Sequence, residues 1–286
     1  MHQTKQRGSK QSIQLVLNLY NLFGYKFIYY LMYPITFFYF LIASNVKKSL
    51  EDYYKHLDVE FTSKVYYEHL RMFSVSMVDR FISKINPEDY DFRYETNEIP
   101  VKTLASGGVL VYSHFGGWAA SATGSHVKNK INIVMQESML ADIKGLEKKL
   151  EIESEVNLID VDRGMIAVSV DIANALLNEE IVAIMADRVS NKKAEVEVLF
   201  LGEKATFNKN PFQVAYKVDK PLLAYFIIWT DVQQYKVEYI NIIMDKNKTE
   251  TDAVMEALES YVEKFEEIVR LYPNQWFNLY DFWEKK

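Results

Sequence analysis

The segment Val111-Tyr-Ser-His-Phe-Gly-Gly-Trp118 holds the residue types a reactive site needs, in a usable order. The apolar run Gly108–Ser113 reads as a buried strand, and His114 follows it at once. Imidazole titrates near neutral pH, so a histidine at a strand's carboxyl end suits a general base. Gly116 and Gly117 let the backbone turn there and approach a ligand closely. A helix is expected to begin near Trp118, and its amino terminus would favour a phosphate or an oxyanion. A histidine after a strand suits a structural role as well, and both readings stay open at this point. Ser113 is a poor nucleophile candidate. Its neighbours do not form the G-x-S-x-G elbow, and adjacent strand residues point to opposite sides.

Two more strand ends carry charged pairs. Met185-Ala-Asp-Arg188 closes one apolar run, and Asp160-Val-Asp-Arg-Gly164 closes another. Asp187 is placed to orient an imidazole, and Arg188 and Arg163 to grip an anion through two parallel N–H donors. The alternative is a pair of ions that merely cap their strands. No phosphate-binding or dinucleotide-binding glycine loop is present.

The rest of the composition narrows the chemistry. The chain has 286 residues and no cysteine, which excludes disulfides, thiolate catalysis and cysteine-ligated metals. Its five histidines are His2, His56, His69, His114 and His126, and no two have zinc-ligand spacing beside a carboxylate. Neither a metal nor a cofactor is expected. A net charge of −6 argues against nucleic acid as a partner. Aromatic residues reach 14%, which suits either a ring-rich core or a lipid-facing surface.

The elements that must position these residues fall into two parts. Residues 1–48 form a hydrophobic helical segment expected to associate with a membrane, and residues 49–286 form the catalytic domain. Between Gln11 and Val46 the only charge is Lys26, and Phe27–Ser44 has none. That run is short for a span, which needs about 20 apolar residues, and Pro34 should kink it. An interfacial helix or shallow hairpin is therefore expected, with Lys26 reaching toward headgroups. A pair of helices buried in a soluble core is the alternative. Leu50–Lys84 reads as one helix, stopped by Asn86-Pro87. Strands are expected at Gly108–Ser113, Ile131–Met135, Val156–Asp160, Ile181–Ala186, Glu195–Phe200, Leu222–Trp229 and Val237–Ile243. Helices are expected at 139–150, 166–178 and Thr249–Leu271, the last stopped by Pro273. This alternation predicts an α/β fold with a mainly parallel central sheet flanked by helices, whose ligands bind at the strands' carboxyl ends.

The ordered blocks resemble the lauroyl/myristoyl acyltransferases of lipid A biosynthesis, within the lysophospholipid acyltransferase superfamily. The blocks are Arg7-Gly-Ser9, Leu31-Met-Tyr-Pro-Ile35, Ser113-His-Phe-Gly-Gly-Trp118, Met185-Ala-Asp-Arg188, Val198-Leu-Phe-Leu-Gly202, Ala205-Thr-Phe207, Asn210-Pro-Phe212 and Pro273-Asn-Gln-Trp-Phe-Asn-Leu-Tyr-Asp-Phe-Trp283. The resemblance implies acyl transfer from a thioester, on acyl carrier protein or coenzyme A, to a hydroxyl of a membrane glycolipid. It places the protein at the cytoplasmic face of a bacterial inner membrane. His114 would be the base. Arg188, Arg163, Gly116, Gly117, Trp118 and Asn210 would contact substrate. The family's motif is His, four residues, then Asp or Glu, and here Ala119 stands at the acid position. Three readings follow: Asp187 orients His114 instead, His114 acts alone, or catalysis is lost and lipid binding kept. A soluble thioester hydrolase is a further alternative.

Overall fold

The computed structural model describes residues 10–94, 98–120, 128–136, 156–189 and 191–283. Its strands are β1 (Asp91–Tyr94), β2 (Gly108–Tyr112), β3 (Ile131–Met135), β4 (Val156–Asp160), β5 (Ile181–Met185), β6 (Glu195–Phe200), β7 (Glu203–Asn208), β8 (Leu222–Asp231) and β9 (Gln234–Ile242). Seven of them form one sheet in the order β1-β9-β8-β2-β5-β3-β4. The five from β8 to β4 run parallel, β9 pairs antiparallel with β8, and β1 runs with β9. β2 lies in the middle and is buried at every position. A strand covered on both faces needs an unbroken apolar run, which is how Gly108–Tyr112 reads. β6 and β7 form a separate hairpin. Its two-residue turn, Leu201-Gly202, has positive φ at both positions, as a type I′ turn requires.

The helices are α1 (Lys10–Ile42), α2 (Ser44–His56), α3 (Ser63–Ile85), α4 (Glu98–Thr103), α5 (Met165–Leu177), α6 (Asn210–Val218) and α7 (Glu250–Leu271). The expected single helix over Leu50–Lys84 is two, α2 and α3. Asp58 takes a left-handed conformation between them, and the Thr62 hydroxyl caps α3 by accepting from the Val65 amide. Pro34 stays within α1. The departures from helix come at Gly24 and at Ala43, where α2 turns 91° away from Gln14–Ile42. β1, β7 and α6 are too short to stand out in the sequence. The helix expected at 139–150 lies outside the described residues.

Below the sheet, α7 buries Leu258, Phe265 and Val269 against Phe226, Phe200 and Trp276. On another side, α1 packs Leu17, Tyr20, Tyr25, Ile28 and Met32 against Ile82, Ile227, Tyr235 and Val237. Each large apolar side chain so buried contributes about 1.5–3 kcal/mol. The hydroxyls of Tyr25, Tyr90 and Tyr235 all donate to the buried Asp79 carboxylate, which ties α1 to α3 and β9. The opposite face of α1 is apolar and open to solvent, with Leu22 73% and Phe38 66% exposed. Among the described residues no single helix is long and apolar enough to cross a membrane. The bent pair of Gln14–Ile42 and α2 passes that test only when its two members are taken together.

Candidate active site at the ends of the two central strands

Strand register sets up the site. Tyr112 at the end of β2 pairs with Met185 at the end of β5, and the ladder continues as the Ala186 amide donates to the Tyr112 carbonyl. Two residues beyond each strand end stand His114 and Asp187. Residues two apart on adjacent, aligned strands share a face, so the imidazole and the carboxylate meet.

His114 Nδ1 lies 3.1 Å from Asp187 Oδ1 and 3.3 Å from Oδ2, and the His114 main-chain amide donates to Oδ2 at 2.9 Å. The Trp276 indole Nε1 donates to the same Oδ2 at 3.0 Å. The Tyr280 hydroxyl donates to the Asp187 carbonyl at 3.1 Å. Asp187 is buried, whereas the His114 side chain keeps 19% of its surface. Burial alone would raise the Asp187 carboxyl. The charge and hydrogen bonds of His114, with Arg188, outweigh it and hold the acid below the usual carboxylate range. Burial also pushes the His114 imidazole below its ordinary value. Asp187 pulls it partly back, and the positive charges of Arg188 and Arg80 push it down again. A neutral imidazole therefore faces an ionised acid. With Nδ1–H donated to Asp187, the lone pair sits on Nε2, the nitrogen left to take a proton from a substrate.

The glycines after His114 serve packing against the protein. Gly116 has φ +54°, and a Cβ there would lie 1.9 Å from the Ile227 carbonyl oxygen. A Cβ on Gly117 would lie 2.4 Å from the Tyr235 ring. Both amides are already used: Gly116 N–H donates to the Gln275 carbonyl and Gly117 N–H to the Ile227 carbonyl, each at 2.8 Å. The Ser76 hydroxyl holds the Gly116 carbonyl at 2.7 Å. Where a helix is expected to begin, Trp118–Ala120 forms a 3-10 turn, and the residues after it, 121–127, lie outside the described residues. The Trp118 ring stands edge-on to His114 with 4.9 Å between centroids. Ala119 lies in the same turn and brings no acid.

Arg188 lays its guanidinium over the Tyr280 ring at 4.3 Å, and its Nε is buried with no partner among the described residues. Arg163 is not part of this group. It lies beyond β4, two strands from β5, and its guanidinium pairs with Asp171. Asn210 begins α6, and its amide donates to the Asn208 side chain. Asn208, which sequence reasoning passed over, is the residue that reaches the strand end, donating to the Met185 carbonyl at 2.8 Å. Trp276 and Tyr280 were missed too. They stand in an aromatic-rich tail whose type suggests core packing, and nothing in their spacing marks an indole N–H as a carboxylate partner.

The arrangement suits proton abstraction from a hydroxyl that then attacks an acyl carbon, with a cation nearby for the oxyanion. No curated protein matches the chain at a significant level. The sequence model of the bacterial lipid A biosynthesis acyltransferases matches residues 82–285, a stretch that contains His114, Asp187, Arg188, Trp276 and Tyr280. The chain thus belongs to the bacterial lipid A biosynthesis acyltransferase family.

Proposed function

We propose that the protein transfers a fatty acyl chain from a thioester, on acyl carrier protein or coenzyme A, to a hydroxyl of a membrane glycolipid related to lipid A. The observation that carries this reading is the contact of His114 Nδ1 with Asp187 at 3.1 Å. His114 takes the acceptor's proton at Nε2 as the hydroxyl oxygen attacks the thioester carbonyl. Asp187 holds the ring and stabilises the imidazolium that forms. Arg188 offsets the charge on the tetrahedral oxyanion, or holds an anionic group of the acceptor. As the intermediate collapses, the carbon–sulfur bond breaks and the proton on His114 passes to the departing thiolate. In this reading Asp187 fills the place left empty at Ala119, so the chain is a working enzyme and not a lipid-binding remnant. Trp118 borders the acceptor. Gly116 and Gly117 shape the turn that presents His114, Asn210 acts through Asn208, and Arg163, paired with Asp171, takes no part.

The apolar outer face of α1 supports membrane association, with residues 1–48 as the membrane-associating segment; the cytoplasmic face of a bacterial inner membrane is where the family resemblance places it. The test is His114→Ala in an assay of acyl transfer from acyl carrier protein and coenzyme A thioesters to membrane lipid. Transfer should fall to background, and unchanged turnover would remove His114 from the mechanism. Lipid analysis of cells lacking the protein should show one glycolipid short of an acyl chain.

A further inference from the structure

An aspartate side chain turns easily about its last bond, because that torsion joins an sp3 to an sp2 carbon and has broad wells. One hydrogen bond to a neighbouring imidazole does not stop it. In this protein Oδ2 of Asp187 accepts from two donors on different elements, the His114 main-chain amide and the Trp276 indole. That leaves Oδ1 as the oxygen closer to His114 Nδ1. The indole itself cannot swing. Trp276 is fully buried, and the rings of Tyr53, Phe200, Phe265 and Phe282 meet it edge-on at centroid distances of 4.9–5.4 Å. Its main chain is fixed as well. Phe115 bridges Trp276 as a short antiparallel pair, the Gly116 amide donates to the Gln275 carbonyl, and the Phe277 amide donates to the His114 carbonyl at 2.8 Å.

We propose that Trp276 is a positioning residue of the dyad: its indole N–H locks the rotamer of Asp187, while its own strap holds the loop that carries His114. The inference rests on the proposed roles of His114 and Asp187. It adds a residue that touches neither substrate nor the reacting atoms. Withdrawing the N–H also removes a donor that spreads the carboxylate's charge. Asp187 would then favour the imidazolium more strongly, and the pH at which His114 loses its proton would rise.

The test is Trp276→Phe, which keeps a ring and removes the donor. A fall in kcat on the order of 10- to 100-fold is expected, as for a lost hydrogen bond to a charged group. KM should change little, and the acid limb of the pH profile should move to higher pH. A lower melting temperature with kcat and the limb unmoved would mean that Trp276 only packs, and would overturn the inference. If the variant does not fold, the indole 15N–1H resonance of Trp276 decides in the wild-type chain and in Asp187→Asn. A low-field indole proton that moves upfield in Asp187→Asn supports the lock, and one that stays put overturns it. The two proposals fail separately. An active His114→Ala enzyme ends the reading of the site, whereas an inactive His114→Ala with a normal Trp276→Phe ends this inference alone.

Discussion

In the proposed mechanism His114 serves as a base only while its imidazole is neutral and aimed; burial keeps it neutral, and Asp187 aims it. Replacing Asp187 by Asn keeps the shape and removes the charge. In a histidine–carboxylate dyad this costs on the order of 10^3- to 10^4-fold in kcat. Burial holds His114 below the ordinary histidine value, so kcat/KM should rise with pH along a limb below that value and be flat at neutral pH. Asp187 opposes that depression, so Asp187→Asn should shift the limb further down as it lowers the plateau. A limb that moves up would contradict the assigned geometry. Ala119→Glu should bring no gain in turnover, since Asp187 already occupies the orienting place. How much of this was legible in the sequence depends on the residue. Asp187 could be named because it ends an apolar run as His114 does, and register two beyond Tyr112 and Met185 does the rest. Trp276 could not be named, because an indole's hydrogen-bond direction is set by the rings that box it, and those come from distant elements.

At the scale of elements, the loop after β2 is built to lie flat against β8. Gly116→Ala would drive a methyl group into the Ile227 carbonyl at a φ that side chains avoid, with the Gln275 side-chain oxygen also close by. A loss of at least about 3 kcal/mol in urea unfolding is expected. Gly202→Ala is the control. It also has positive φ, but nothing lies within 4 Å, so only the conformational cost of about 1 kcal/mol should appear. The parallel strands were readable because each is an unbroken apolar run with a polar break after it. α2 and α3 were not separable in the sequence, since their apolar spacing runs on through Leu57 and Phe61. The break depends on one left-handed residue and one threonine cap. The helix expected near Trp118 begins as a 3-10 turn, Trp118 to Ala120, and its continuation lies outside the described residues.

For the molecule as a whole, acid should be the main threat to stability. His69 is fully buried, and burial brings its imidazole down to about 3. A group whose folded value lies below its unfolded value adds stability above the unfolded value, near 6.5, and loses it as pH falls toward the folded one. His69 should therefore withdraw about 1.4 kcal/mol for each pH unit between roughly 6.5 and 3. His114 and Asp187 act with the same sign. Asp79 acts with the opposite sign, since burial raises it to about 6 and its contribution is lost as pH rises through that value. Urea midpoints at pH 7 and 4.5 should differ less for His69→Gln than for the wild type, and equal slopes would show that His69 is not the titrating group. The membrane proposal also belongs at this scale. Deleting α1 would strip the face of β8 and β9 that it covers, so surface changes test it better. Replacing Leu22, Phe23, Phe38 and Leu41 by Ser should release the protein from phospholipid vesicles with its melting temperature unchanged.

The strap that carries Trp276 also bears on when the proposed activity can begin. On the ribosome the chain makes α1 first, then His114, then Asp187 73 residues later, and Trp276 a further 89 residues on. If α1 associates with a membrane as proposed, a nascent chain would rest this helix on the lipid surface while the dyad is still unlocked. The proposed chemistry would reach its full rate only once the strap has been synthesised and laid beside Phe115. On the proposed function, a chain stalled or cut before Trp276 would hold its acid unclamped, so full acyl transfer would wait until synthesis was nearly done.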